Sequence, residues 1–154
     1  MKEDLTDIKL DVVLHAKFCY NIFMKLACID VGLKRIGVAI CLNGSLVMPQ
    51  TAILRKNRNQ AARDVNLFLQ EWEIETLIVG LPLDAVSSEE MERRIKHFVS
   101  LLELSIPVIY QDEQSSSLEA KELTKGQFRH KKDGKIDSIA AQIILERYLN
   151  RASV

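Results

Sequence analysis

Ala27-Cys28-Ile29-Asp30-Val31-Gly32-Leu33-Lys34-Arg35-Ile36-Gly37-Val38-Ala39-Ile40 is the stretch that decides how this chain is read. An apolar run ends in a lone carboxylate, a glycine turn follows, and a second β-branched apolar run begins. The pattern predicts a hairpin of Leu26–Val31 and Ile36–Leu42 around Gly32. Burying an unpaired carboxylate in such a strand costs several kcal/mol or more. An acid kept there is usually held for a metal, a phosphate or a proton.

Outward from the hairpin the elements alternate. Asn43-Gly44 is a two-residue hairpin signal, and it leads to a third strand over Ser45–Leu54, whose Pro49 suits a sheet edge. Asn59–Trp72 reads as a helix with Ala62, Val65, Phe68, Leu69 and Trp72 on its apolar stripe, and Trp72 reads as its anchor on the sheet. Thr76–Gly80 is short and continuously apolar, as in a central parallel strand. Ser87 with Glu90 predicts a capped helix to about Leu104, Pro107–Tyr110 a further buried strand, and Ser116 with Glu119 another capped helix. A polar, basic stretch over 125–135 precedes a last helix, Ile136–Asn150. Hairpins first and crossovers after predict an α/β domain with a mixed sheet, unlike a doubly wound nucleotide fold that starts with βαβ and GxGxxG.

The bulk numbers narrow the class. The chain has 154 residues, enough for one domain, and its formal net charge is zero. Nucleic acid would therefore have to be gripped by a local patch. Cys19, Cys28 and Cys41 form no CxxC pair, which fits a reducing cytosol and a cytoplasmic protein. No apolar run is long enough to span a membrane. Met24-Lys25-Leu26-Ala27 reads like a protein start, so residues 1–23 are expected to be a dispensable extension outside the core domain of 24–150. The plainer alternative is an added helix, because Ile8, Val12, Val13 and Ala16 sit near helical spacing.

Three acids stand where acids are costly or pointed. Asp30 ends the first strand, Asp112-Glu113 ends the last, and Asp137 shares a helix face with Ala140, Ala141, Ile144 and Tyr148. Carboxylates converging at strand ends suit a hard metal ion such as Mg²⁺, which can serve phosphodiester hydrolysis. Each acid also has an ordinary structural role: Asp112 as a strand-end turn residue, Asp137 as a first-turn acid, and Asp30 in an Asx-turn. Lys121, Lys125, Arg129, His130, Lys131, Lys132 and Lys135 lead into the Asp137 helix. They read either as a solvated loop or as a phosphate-gripping one, extended by Lys34 and Arg35. His15 and His97 read as bland helical residues.

These residues, taken in order, resemble the YqgF family, also called RuvX, of Holliday junction resolvases or pre-16S rRNA nucleases. The matching segments are Asp30 to Ala39, Ile78-Val79-Gly80-Leu81-Pro82-Leu83, Asp112-Glu113, and Lys135 to Ala141 with Ile143 to Glu146. The resemblance implies an RNase H-like fold: a five-stranded mixed sheet, its first three strands antiparallel, flanked by helices. It implies metal-dependent hydrolysis, expected to use Mg²⁺ or Mn²⁺, with Asp30, Glu113 and Asp137 as catalytic and metal-holding acids; the phosphate-gripping reading of the basic stretch adds Lys34, Arg35, Lys131 and Lys132 against substrate. The expected partner is nucleic acid, RNA ahead of DNA, with pre-ribosomal particles behind it. Gln114 stands where the family usually has arginine, and Asp84-Ala85-Val86 replaces its usual Asn and glycine turn.

Other readings compete. A Holliday junction resolvase would need a symmetric dimer to present two sites. A non-catalytic nucleic-acid or ribosome-associated module would keep the fold without turnover, which Gln114 favours and the three acids oppose. An actin-like or sugar-kinase ATPase begins with a similar hairpin but needs several hundred residues to enclose its nucleotide.

Overall fold

The computed structural model describes residues 24–83, 88–114, 116–126 and 134–152. The extension over 1–23, the candidate phosphate-binding residues Lys131 and Lys132, and the helix cap expected at Ser87 lie outside the described residues.

Strands β1 (Leu26–Val31), β2 (Arg35–Cys41) and β3 (Val47–Leu54) form the meander, and helices α1 (Arg58–Glu71) and α2 (Ser88–Ser100) flank β4 (Thr76–Leu81). Strand β5 (Val108–Asp112) is followed by α3 (Ser116–Leu123) and α4 (Lys135–Ala152). The sheet order is β3-β2-β1-β4-β5, with β1–β2 and β2–β3 antiparallel and β1–β4 and β4–β5 parallel. Asp30 therefore lies on the central strand, and Pro49 on an edge strand. This is the five-stranded mixed sheet that the hairpin-then-crossover order predicts.

Alternation along β1 divides the core in two. Ala27, Ile29 and Val31 face α1 and α2, and are joined there by Val65, Leu69, Ile95 and Phe98. Leu26 and Cys28 face α4, where Ala141, Ile144 and Leu145 cover them. Asp30 follows Cys28 onto the α4 face. Helix α1 begins at a capping box: Asn57 Oδ1 accepts from Gln60 N at 2.8 Å, and the Gln60 side chain accepts from Asn57 N at 3.4 Å. Trp72 ends it, half-buried and tilted against Phe68 with ring centroids 6.3 Å apart. Ser116, read from sequence as a cap, instead lies inside α3 and is buried.

Candidate active site

Glycines on both neighbouring strands make room for the Asp30 carboxylate. Its cross-strand partner on β2 is Gly37. On β4, Gly80 stands one residue beyond the Ile29–Val79 pair. A methyl group added at Gly37 would sit 2.0 Å from Asp137 O, so the first turn of α4 rests directly on that bare backbone. One added at Gly80 would meet Ile144 Cδ1 at 2.8 Å and Glu113 Oε2 at 3.0 Å. The two glycines thus admit Asp137 from one side of Asp30 and Glu113 from the other. Both were visible in the sequence, but only the sheet register shows that they flank the acid.

Each element is anchored. The Val38 N–H, at the irregularity where the β2–β3 register shifts, donates to Ser138 Oγ at 3.2 Å, which ties α4 to β2 beside Asp137. Glu113 N donates to Leu81 O at 3.0 Å and Glu113 O accepts from Ser116 N at 3.0 Å, so the backbone that aims Glu113 is held on both sides. Asp112 points elsewhere and accepts from Gln114 N at 3.1 Å in an Asx-type turn. Strand alternation thus sets Glu113 rather than Asp112 against Asp30.

The acids form a pair with an outlier. Asp30 and Glu113 lie within hydrogen-bonding reach of each other. Asp30 keeps a solvent-facing edge, but protein atoms crowd its carboxyl, and desolvation followed by the charge of Glu113 pushes its pKa well above the carboxylate range. Burial raises Glu113 as well, partly offset by its bond to Asp30, so one proton is shared and sits preferentially on Asp30. Glu113 Oε2 is buried without a hydrogen-bond partner. Asp137 adds to the field on Asp30, but its own pKa, raised by burial, is drawn back by Arg35. Among the described residues no three His, Cys, Asp or Glu side chains are grouped closely enough to hold one metal ion. The sequence expectation of three converging acids therefore meets a close pair, with Asp137 standing off beside Arg35.

The other sequence candidates divide. Arg35, half-buried, lies near enough for its charge to act on Asp137, whereas Lys34 is exposed in the hairpin turn. The cation missing at Gln114 has a neighbour the sequence did not suggest. Arg147 of α4 donates to Gln114 O at 2.7 Å and pairs with Glu119 at 2.5 Å.

The profile of the RuvX family, described as Holliday junction resolvase, matches residues 24–151. The chain belongs to the RuvX family. A Sulfurovum sp. (strain NBC37-1) protein bearing the name "Putative pre-16S rRNA nuclease" is 80% identical over 82% of this chain and 99% of its own length. A Sulfurimonas denitrificans relative of the same name is 49% identical over 83% and 98%. Among solved structures, T. thermophilus RuvC with a Holliday junction substrate superposes with TM-score 0.51 at 11% identity, covering 83% of this chain and 96% of that one. The fowlpox virus Holliday junction resolvase gives 0.50 at 14%, over 83% and 99%. These likenesses establish an RNase H-like fold. No described helix is long and apolar enough to cross a membrane.

Proposed function

We propose that this RuvX-family protein is a nuclease that hydrolyses phosphodiester bonds in structured nucleic acid, with processing of the 5′ end of pre-16S rRNA as its task. The observation that carries the reading is the crowded Asp30–Glu113 pair at the end of the central strand. A structural pair would be neutralised by a bonded cation, and here an oxygen of Glu113 is left buried and unpartnered. The substrate is taken from the names of the relatives.

Two crowded carboxylates with an orphaned oxygen fit a hard divalent cation, Mg²⁺ or Mn²⁺. Asp30 and Glu113 would hold it, with Asp137 as a third acid. Such an ion supplies Lewis acidity at the scissile phosphate and favours the ionised form of both carboxyls. The chain's own residues do the rest. Releasing the shared proton leaves Asp30 and Glu113 ionised to hold the ion, and the carboxylates orient the attacking water. The charge of Arg35 partly offsets the burial that pushes the Asp137 pKa up. Lys34, exposed at the turn, faces substrate phosphates, and Lys131 and Lys132 extend that grip. The activity belongs to residues 24–150, and a chain starting at Met24 should retain it.

The test is cleavage of a labelled pre-16S leader RNA beside synthetic four-way DNA junctions, with Mg²⁺ or Mn²⁺ and an Asp30→Asn control. Cleavage of the leader that vanishes in the control is the expected result. Preference for the junction would move the substrate to DNA, and binding of either without turnover would make the protein a non-catalytic module.

A further inference from the structure

On the opposite face of the same sheet end lies a cavity of about 260 Å³. Gly32 and Leu33 of the hairpin turn form one wall, and Arg55, Arg58, Arg94 and His97 converge on it. Arg55 follows β3, Arg58 opens α1, and the other two come from α2. Arg55 is pinned, since its Nη1 donates to Gly32 O at 2.9 Å and its guanidinium lies over the Phe98 ring, 5.3 Å from the centroid. Arg58 Nη1 is 3.1 Å from His97 Nε2. A guanidinium has no acceptor, so the imidazole nitrogen accepts there and most of the Arg58 fork stays free. Arg94 pairs with Glu90, one turn earlier on α2. Among the described residues, Glu90 is the only acid bonded to any of these side chains.

Three arginines drawn together repel one another, and burial with the charge of Arg58 already weakens the hold of Arg55 on its proton. Arg55 has a structural task in bracing the turn. Arg58 and Arg94 are exposed, and their contacts to His97 and Glu90 leave much of each fork open. Forked, preorganised donors around a cavity match the oxygens of a phosphate. The location matters as well. Gly32 lies two residues beyond Asp30, about 7 Å along an extended strand. A nucleic-acid strand passing over the end of the sheet can meet the acid pair on one face and this cavity on the other.

We infer that the Arg55–Arg58–Arg94–His97 cavity binds a backbone phosphate of the strand whose scissile bond lies at the Asp30–Glu113 pair. For the identity of its ligand the inference rests on the nuclease reading. The site positions the strand without reading its sequence, because phosphate contacts carry no base information.

The experiment uses the full-length chain, wild type and Arg58→Gln/Arg94→Gln, with a labelled single-stranded RNA. Binding is measured in chelator from 50 to 200 mM salt, and cleavage is measured separately with Mg²⁺ or Mn²⁺. Loss of the grip on that one phosphate lowers the salt slope by about 0.7, so wild-type affinity should fall about two- to threefold further than the variant's across that range. In cleavage the variant should show a raised KM with kcat retained, because both arginines lie across the sheet from the acids. Arg58→Lys/Arg94→Lys should recover most of the slope. Equal affinity and equal slope in the glutamine variant would overturn the site, and so would a loss of binding that is the same at every salt and accompanies a lowered melting temperature. A wild-type chain that binds with the full slope and never cleaves overturns the nuclease reading instead.

Discussion

The two faces of the sheet at the end of β1 are built on opposite principles. The α4 face gathers carboxylates under cover: Asp30 and Glu113 share a proton, and an oxygen of Glu113 is left without a partner. The α2 face gathers cations in the open, with Arg58 and Arg94 exposed around a cavity and Arg55 alone partly enclosed. Crowded like charges cost folding energy that solvent cannot relieve, so the acid face is held by backbone, through Gly37 beneath Asp137 and the Val38–Ser138 bond. Exposed like charges cost little, and the basic face needs only one brace, Arg55 on Gly32. Chemistry that needs a charge in an unfavourable state is placed where the backbone can force it. Binding that needs only attraction is placed where water keeps it cheap.

Removing the acid face's charge should have the largest effect. Asp30→Asn is expected to lower cleavage by at least about a hundredfold, because it removes one of the two carboxylates that would hold the ion, whose stabilisation of the reacting phosphate is several kcal/mol. Binding in chelator should hold, since Asp30 carries the pair's shared proton there and its replacement leaves the charge near the phosphate unchanged. Comparable losses of binding and turnover would erase the distinction between the two faces. The same variant reports on pH. In the folded chain the Asp30–Glu113 pair keeps its shared proton above about pH 4, where unfolded carboxylates have released theirs. The folded state then binds more protons than the unfolded one, and stability falls as pH rises through that window. In chelator, wild-type melting should therefore drop relative to Asp30→Asn from pH 4 toward neutral, and the two should converge below pH 4. A constant gap at every pH would mean the pair is not strained.

Breaking the acid face's supports should cost stability first. Gly37→Ala places a methyl group 2.0 Å from Asp137 O, a backbone atom that cannot rotate away. Overpacking of this kind costs about 3 kcal/mol or more, read as a lowered denaturation midpoint, and should carry Asp137 away from Asp30. Ser138→Ala is milder. It leaves the buried Val38 N–H unpaired, a loss of about 1–2 kcal/mol, while Asp30 and Glu113 stay together. An equal penalty for both variants would show that the close contact of α4 on Gly37 is softer than the geometry indicates.

The acid face was largely legible in the sequence, and the basic face was not. Asp30 stood out because one carboxylate interrupts a continuous apolar strand, and the hairpin-first order placed that strand centrally. Alternation chose Glu113 over Asp112, a choice that depends only on which way successive side chains point. The offset of Asp137 was hidden, because the first turn of α4 is seated by contacts about 100 residues away in sequence, on Gly37 and Val38. Arg55, Arg58, Arg94 and His97 have no local pattern. They come from three different segments, and His97 looks like any exposed helical residue until Arg58 lies 3.1 Å from it. Arg147 beside Gln114 escaped for the same reason, since 33 residues separate them.

The smallest effect should come from the one carboxylate that intrudes on the basic face. Glu90 pairs with Arg94 at 2.5 Å, with side chains 68% and 54% exposed. An exposed pair one turn apart on a helix contributes little, so Glu90→Gln should barely move the melting temperature. Its charge nevertheless occupies an arginine that a phosphate would otherwise claim. Removing it should tighten single-stranded RNA binding about twofold at 50 mM salt, and the gain should shrink by 200 mM as screening shortens the reach of exposed charges. Cleavage kcat should not change, because Glu90 lies across the sheet from Asp30. Affinity unchanged at low salt would remove Arg94 from the phosphate site and leave Arg55 and Arg58 to hold it, the one arginine braced against the turn and the other free.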